Sequence, residues 1–326
     1  MTLVEHLGDF TSRASGLPVP KYYGEALVEL ARANPNVVSL SGDLSSATEA
    51  DLFLKAFPDR FFKPGIAEAN MIGLAAGMAR MGMMPFVHTF SCFMSRRAFD
   101  QVAMQLAYPR TNVKMAGFLP GLTTLLGVSH QAIEDNAMMR ALPNMTLIEP
   151  CGAAQMAPAL RAAADVDGPV YMRLHRPEAP MADGAEELPL EVGKGLVMRG
   201  GADAVIFASG HMVGESLKAA KALAANGAEV AVVNIHSLKP LDTDLICEMA
   251  SKCRVVLTAE NHSVIGGLGS AVAETLMEAG IIAKFARIGV CDQFAEGGST
   301  AYLFEKYGLS SRHIEARISQ LLDQNS

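Results

Sequence analysis

The chain of 326 residues has no tryptophan, only five cysteines and no long basic run. The cysteines stand at positions 92, 151, 247, 253 and 291, and none forms a Cys-x-x-Cys pair. Neighbouring histidines do not complete a zinc-ligand spacing, so the sequence predicts buried thiols rather than a metal site. A net charge of −7 without basic clusters argues against nucleic acid as a main partner.

Long apolar runs are missing as well. No uninterrupted apolar stretch reaches about 18 residues, the length expected of a membrane-spanning helix. The first residues, Met1–His6, have neither the basic flank nor the apolar core of a signal peptide. We therefore expect a cytoplasmic protein that has no membrane partner.

Half of the residues are hydrophobic and 19% are charged, so the chain can build full-sized cores. Its length favours about two domains. Short apolar runs alternate with helical patterns in both halves, which predicts an α/β fold with parallel sheets covered on both faces. Prolines and glycines interrupt this pattern in the middle of the chain. We therefore expect a first α/β domain at 1–180, a linker at 181–200 and a smaller α/β domain at 201–326.

The strongest strand signals are short runs of buried-type residues. In the first domain the predicted strands are 37–40, 85–90, 113–117, 146–149 and 170–173. In the second domain they are 204–208, 230–234, 254–258 and 283–288. Each is followed by a helical pattern or a loop, as expected of strand–helix–strand units.

Glu68 is the most informative single residue. It follows the turn Pro64-Gly65 and opens a strongly apolar helical pattern that runs to Gly77. The helix dipole favours a carboxylate in a first turn, and this alone can explain a glutamate there. A carboxylate among apolar neighbours is costly to bury alone, however, so the pattern also fits an acid whose partner is a ligand.

The stretch Gly65-Ile66-Ala67-Glu68 resembles the Gly-Ile-x-Glu motif of the transketolase family of thiamine diphosphate enzymes. Five further motifs follow in the family's order, at 88–93 with 96–101, 127–135, 143–145 with 149–150, 258–262 with 266–269, and 289–294. The match is to the C-terminal half of a transketolase. It implies a pyrimidine-binding domain with a parallel sheet, followed by a transketolase C-terminal domain.

The resemblance also implies which residues bind the cofactor. Glu68 is expected to contact the aminopyrimidine ring, with Ile66 beside it in the same motif. A carboxylic side chain in an apolar site can share a proton with the ring nitrogen N1′. Phe90 and Phe93 match aromatic positions that form a flat platform for the ring, although close phenylalanines are more often plain core residues.

Two other cofactor positions each allow a second interpretation. Asp43 follows the first strand, where ligand-binding residues gather in open α/β sheets, but it also fits a helix N-cap. Arg96 stands at a family position that is often aromatic and is a candidate cofactor contact. Arg96 and Arg97 also fit residues that face a partner chain, the diphosphate or solvent. Glu134 and Asp135 begin a helix and are expected to be structural.

His130 and Arg176 are the expected substrate-binding residues. His130 matches a histidine that contacts the hydroxyl groups of the donor, and Arg176 matches an arginine that binds the phosphate of sugar substrates. Leu125 and Leu126 stand where an acidic residue is common in the family. Other family residues near the substrate are replaced, here by Lys21, Ala47 and Phe118. We therefore expect a ketose donor with an anionic end, or a modified or shortened sugar.

The chain has no copy of the Gly-Asp-Gly motif with which the family binds metal and diphosphate, because the stretch 41–44 lacks the second glycine. A diphosphate needs a metal or a cluster of donors. We therefore expect the N-terminal half of a split transketolase as partner, binding Mg or Ca together with thiamine diphosphate. The resemblance implies a transferase of two-carbon ketol units that is active as a heterotetramer, with two self-associated copies of each chain.

Other functions share this architecture. The beta subunit of a 2-oxo acid decarboxylase complex would more often have Thr-Pro-Ile-x-Glu at the Glu68 site and would lack the pattern 90–101. A non-catalytic regulatory module need not keep a costly buried acid together with Phe90 and Phe93. A deoxyxylulose phosphate synthase also fits the stretch 65–68, but that enzyme is normally one long chain.

Overall fold

The computed structural model describes residues 20–175 and 186–323. Seven strands of the described chain form the first sheet: β1 (Val37–Ser41), β2 (Phe61–Phe62), β3 (Met84–Phe90), β4 (Lys114–Phe118), β5 (Thr146–Ile148), β6 (Val170–Leu174) and β10 (Ser237–Lys239). Their order across the sheet is β10-β5-β6-β4-β3-β1-β2, and all neighbours pair in parallel except β10 with β5.

Helices cover both faces of this sheet. They are α1 (Tyr22–Ala33), α2 (Asp51–Ala56), α3 (Glu68–Arg80), α4 (Ser91–Arg96), α5 (Phe99–Gln101, continued by π-helical turns Val102–Ala107), α6 (Asp135–Ala141) and α7 (Met156–Asp165). Every residue of β1, β4 and β6 is buried, as expected of central parallel strands with helices on both sides.

The second sheet comprises five strands within the described residues: β7 (Leu196–Arg199), β8 (Ala204–Ala208), β9 (Val230–Asn234), β11 (Val255–Ser263) and β12 (Lys284–Val290). Their order is β12-β11-β8-β9-β7, and only β7 runs antiparallel to its neighbour. The helices are α8 (Met212–Ala225), α9 (Thr243–Ser251), α10 (Leu268–Glu278), α11 (Thr300–Lys306) and α12 (Ser311–Asp323). The predicted α/β class with two parallel-dominated sheets is confirmed.

Two edge strands differ from the sequence-based expectation. The segment 181–200, expected to be a linker, contains β7, which pairs with β9. The strand β10 follows β9 in the chain but completes the first sheet beside β5. Both strands are short, and β7 buries only Met198, so neither gives the apolar run by which a buried strand is recognised. The division at 1–180, 181–200 and 201–326 stays a prediction.

The sheet brings the carboxyl ends of three strands to one edge. In the parallel register Ser41 of β1 lies opposite His88 of β3, and Phe90 of β3 lies opposite Phe118 of β4. His88 itself is internal, since its Nε2 lies 2.9 Å from the Tyr23 hydroxyl, and burial lowers its pKa to about 4. Residues that follow β1, β3 and β4 therefore meet at the edge where ligands bind in such sheets.

A buried arginine joins the two halves of the molecule. Arg173 of β6 is fully buried, and it donates from Nε to Asp135 at 2.9 Å and from Nη1 to Glu149 at 2.6 Å. Its Nη2 donates to the backbone carbonyls of Ala132 at 3.1 Å and Asn261 at 2.8 Å. Asn261 lies in β11 of the second sheet. The guanidinium therefore contacts both units of the protein, the first built around the first sheet and the second around the second sheet.

Glu149 has further partners at the same junction. Ser209, which follows β8, donates its hydroxyl to Glu149 at 2.8 Å, and His175 Nε2 lies 2.9 Å from the same carboxylate. Burial opposes ionisation of Glu149, but Arg173, His175 and Ser209 outweigh it and hold the pKa of this carboxyl well below its usual range. The carboxylate is therefore charged at neutral pH and binds the two units together.

We predict that Arg173→Met lowers the free energy of unfolding by about 3–5 kcal/mol at pH 7, because it leaves Asp135 and Glu149 buried without their cation. Urea unfolding measures this change. The matched control is Arg161→Met, which removes an arginine from the half-exposed ion pair with Glu187. It should alter the free energy by less than about 0.5 kcal/mol.

Urea unfolding repeated at acid pH tests whether the charge of Glu149 causes this stabilisation. The pKa of Glu149 is lower in the folded chain than its ordinary value of 4.5, so its contribution is present above that pH and is lost as the pH falls further. The difference between wild type and Arg173→Met should therefore narrow in acid. An unfolding free energy that Arg173→Met leaves unchanged at pH 7 would refute this account of the junction.

Candidate active site

Glu68 is the first residue of α3, as the sequence predicts, and only 3% of its surface is exposed. The turn before it depends on Gly65, whose φ of +87° is readily adopted only by glycine. The Glu68 carboxylate accepts a hydrogen bond from Arg97 Nη1 at 3.2 Å. The carboxylate is thus buried at a helix N-terminus and paired with a cation that is itself half exposed.

An aromatic cluster lies next to this pair. Phe90 ends β3 and Phe93 lies in the first turn of α4, with ring centroids 5.8 Å apart. His130 comes from the loop after β4 and meets Phe93 edge-on, with a centroid distance of 5.2 Å. The centroid of His130 lies 6.0 Å from that of Phe90. Four predicted site residues, Glu68, Phe90, Phe93 and His130, are thereby brought together.

Arg97 connects the carboxylate to the aromatic cluster. Its guanidinium carbon lies 3.9 Å from the centroid of the Phe93 ring while its Nη1 binds Glu68. The family motifs indicated Arg96, not Arg97, as a candidate cofactor contact. One signal was available, because Arg97 stands four residues after Phe93, the spacing at which side chains meet on a helix.

Arg96 has different contacts. It forms a bidentate ion pair with Glu134, in which its Nη2 lies 3.0 Å from Oε2, and donates to the carbonyl of Gln131 at 2.7 Å. The hydrogen bond and charge of Glu134 raise the pKa of Arg96. These contacts tie Arg96 to the segment that carries His130. Its expected role as a cofactor contact stays a prediction.

Asp43 and Ile66 line a separate small cavity of about 180 Å³ at the end of β1, together with Ser41, Ser45, Phe61, Lys63 and Gly65. Asp43 is exposed and has a left-handed backbone with φ of 63°. It does not cap a helix, since α2 begins at Asp51 with Ala50 as its N-cap. Ile66 is 69% exposed at the mouth of this cavity. Arg176 lies outside the described residues.

The loop that carries His130 is anchored by the second unit. Asn261 accepts a hydrogen bond from the Leu122 amide at 2.9 Å and donates to the Pro120 carbonyl at 3.2 Å. Gly121, with φ of +59°, lies so close that a Cβ would be 2.2 Å from the Asn261 carbonyl oxygen. Leu125, at the tip of the loop, is 56% exposed. The anchoring residues were not predicted, because Asn261 is far from the loop in sequence.

The glycine-rich segment 266–269 is engaged within the chain. The amides of Leu268 and Gly269 donate to the Glu260 carboxylate at 2.7 and 2.8 Å. A Cβ at Gly267 would lie 1.9 Å from Glu260 Oε2, so only glycine fits there. Burial raises the pKa of Glu260. Glu260 therefore takes the two amides that a nucleotide phosphate would use.

Within residues 20–175 and 186–323, no three His, Cys, Asp or Glu side chains are grouped so that they could hold a metal ion. The same ranges contain no helix that is both long and apolar enough to span a membrane.

Comparison with known proteins assigns the chain to a family. Residues 15–181 match the transketolase pyrimidine-binding domain and residues 193–314 match the transketolase C-terminal domain. An uncharacterized transketolase family protein of Sinorhizobium fredii is 44% identical over 94% of this chain and 89% of its own length. A 6-deoxy-6-sulfo-D-fructose transketolase subunit of a Clostridium species is 45% identical, covering 90% of both chains.

A solved structure supports the same assignment. A split gene transketolase, described as an inactive beta4 tetramer, superposes with a TM-score of 0.85 and is 46% identical. The superposition covers 93% of this chain and 97% of that one, so the two correspond along nearly their whole length. The chain therefore belongs to the transketolase family and, like a relative of Methanocaldococcus jannaschii that is 41% identical over 92% of this chain and is named a putative transketolase C-terminal section, corresponds to the C-terminal chain of a split transketolase.

Proposed function

We propose that this chain is the subunit of a two-chain transketolase that carries the pyrimidine half of a thiamine diphosphate site. With its partner it transfers a two-carbon ketol unit between a ketose donor and an aldose acceptor. The main support is the buried Glu68 carboxylate beside the platform of Phe93 and the imidazole of His130. The similarity to split transketolase chains of matching length supports the two-chain arrangement.

The residues fit the pyrimidine end of the cofactor. Thiamine diphosphate supplies, when bound, the nucleophilic carbon that accepts the ketol unit. Glu68 would share a proton with the ring nitrogen N1′, a task that suits a buried carboxylic group. Phe93, supported by Phe90, would orient the ring by stacking, and Ile66 lies exposed nearby at the mouth of the Asp43 cavity.

The remaining cofactor contacts are divided between two chains in this proposal. The partner would bind the divalent metal, Mg or Ca, and with it the diphosphate. Asp43 and Lys63 are polar residues at the end of β1 and would face the part of the cofactor that lies between the two chains. Arg96 would act through the His130 segment, since it binds Glu134 and the Gln131 carbonyl.

The substrate end supports an anionic ketose donor. His130, held beside the aromatic cluster, can exchange hydrogen bonds with the hydroxyl groups of a sugar. Leu125 and Leu126 are more than half exposed in the anchored loop and present no charge that would repel an anion. The name of the Clostridium relative specifies a sulfonated fructose. A phosphate or sulfonate at the far end of the donor is therefore the proposed recognition group, with Arg176 as its ligand.

Assembly is proposed to use the exposed face of α3. Gly73, Leu74, Gly77 and Met81 recur at helical spacing on this face, and Met81 is 82% exposed. A Cβ at Gly73 or Gly77 would meet nothing within 4 Å, so nothing inside the chain requires glycine there. Small residues beside exposed apolar ones suit the close approach of a second copy. Because Glu68 begins the same helix, self-association would bring two copies of the site to one interface.

We predict that Gly77→Lys prevents self-association without unfolding the chain, because it places a long charged side chain in the proposed interface. Sedimentation velocity measures the oligomer and circular dichroism the fold. Gly200→Lys is the matched control, since a Cβ at Gly200 also meets nothing within 4 Å but lies between β7 and β8. If both variants assemble as the wild type does, the α3 face is not the interface.

We predict that Glu68→Gln leaves fold and assembly intact but lowers the transfer rate of the reconstituted pair on the order of 10²-fold or more, because proton sharing with the cofactor is lost. Turnover is measured at saturating thiamine diphosphate. Glu215→Gln is the control, since Glu215 is also a largely buried acid paired with a half-exposed cation, Lys218 at 2.9 Å. Near-native turnover of Glu68→Gln would exclude Glu68 as the catalytic acid.

We predict that a ketose carrying a terminal phosphate or sulfonate is a better donor than its uncharged counterpart, and that xylulose 5-phosphate is not the best donor. Arg176→Ala should lower kcat/KM for the anionic donor by about 1.5–3 kcal/mol, mainly through KM, with little change in cofactor affinity. Steady-state kinetics with paired charged and uncharged donors measure this. An unchanged preference in Arg176→Ala would disprove the anion-site assignment.

A further inference from the structure

Glu68 and Phe93 define the position that the pyrimidine ring would take. A ring bound there would present its edge to the carboxylate and its face to the phenyl ring. The guanidinium of Arg97 makes the same two kinds of contact in this structure, with Nη1 3.2 Å from Glu68 Oε1 and Cζ 3.9 Å from the Phe93 centroid. Arg97 therefore stands where the ring would have to be.

The chemistry of the two groups explains why one can replace the other. A guanidinium is planar and delocalised, donates hydrogen bonds from its edge and stacks on aromatic faces. An aminopyrimidine is likewise a flat ring with hydrogen-bonding groups on its edge. The spacing of Phe93 and Arg97 by four residues places the guanidinium over the phenyl ring from one turn further along the chain.

The contact is built so that it can open. The Arg97 side chain is 50% exposed, whereas Glu68 is almost fully buried. A partly exposed ion pair and an exposed cation–π contact are individually weak, so together they should favour the closed position only about five- to tenfold. The Arg97 backbone is held at the end of α4 by the hydrogen bond that its N–H donates to the Phe93 carbonyl, so only the side chain has to move.

We propose that Arg97 is a displaceable internal ligand of the pyrimidine subsite, which covers Glu68 and Phe93 until the cofactor arrives. This inference rests on the proposed function. With its cation in place, the Glu68 carboxylate is not buried alone before the cofactor and the partner are bound. Binding of the cofactor then includes the displacement of Arg97, so the affinity of the two-chain site is lowered for the ring of thiamine diphosphate but not for the diphosphate.

The test compares two probes on the pair reconstituted with the partner subunit and Mg. Isothermal titration calorimetry gives the Kd of thiamine diphosphate and, separately, of inorganic diphosphate, which has no ring. Arg97→Ala should bind thiamine diphosphate about five- to tenfold more tightly than wild type, with unchanged Kd for inorganic diphosphate. Arg161→Ala, which removes an exposed paired arginine elsewhere, should change neither value.

Arg97→Met provides a second variant if Arg97→Ala folds poorly, because it keeps the length of the side chain and removes its charge. It should also tighten the binding of thiamine diphosphate selectively. Unchanged or weaker binding in both variants would overturn the proposal, since Arg97 would then not compete with the ring. Failure of the wild-type pair to bind thiamine diphosphate at all would instead overturn the proposed function, and this inference with it.

Discussion

The charged cluster of Arg173, Asp135 and Glu149 lies where the two units of this protein are joined. A buried guanidinium is tolerated only when its donors find acceptors, and here the acceptors come from both sides of the junction. Glu149 in turn reaches Ser209 of the second unit. The backbone directly after Ser209 also lies close to Glu149, because a Cβ at Gly210 would lie 2.5 Å from Glu149 Oε1. The Asn261 carbonyl and the Ser209 hydroxyl of the second unit complete the hydrogen bonds of this buried charged cluster, so docking and folding should be cooperative.

The same junction positions the substrate loop. Asn261 binds Arg173 through its carbonyl and the loop residues Pro120 and Leu122 through its side chain. The loop ends at Ala132, whose carbonyl also binds Arg173. His130 therefore lies on a segment tied at both ends to one buried network. The second unit supplies none of the residues proposed to contact the cofactor. Through Asn261, however, it helps to position His130, the residue proposed to bind the substrate.

Sequence patterns predicted what is local in this structure. The start of α3 at Glu68 and the strand that ends at Phe90 follow from turn chemistry and apolar runs, and the family motifs indicated that these residues share a site. The strand β10 and the contact between Arg97 and Glu68 could not be predicted in the same way. Both depend on residues distant in sequence, and the choice between Arg96 and Arg97 depends on the rotation of a single short helix. Periodicity in six residues does not determine that rotation.

A site divided between two chains has an electrostatic problem that a single-chain site avoids. Its acid is already buried in the isolated subunit, before the cofactor and the partner bind. An unpaired buried carboxylate would destabilise that subunit. A permanent buried cation would solve this but would block the ligand. Arg97 is half exposed and Glu68 is not, so in our proposal the arginine would compensate the carboxylate before the cofactor binds and would still be readily displaced. Because Glu68 also begins α3, whose outer face is apolar and open, the proposed binding of the cofactor and the proposed self-association would act on the N-terminus and on the outer face of the same helix.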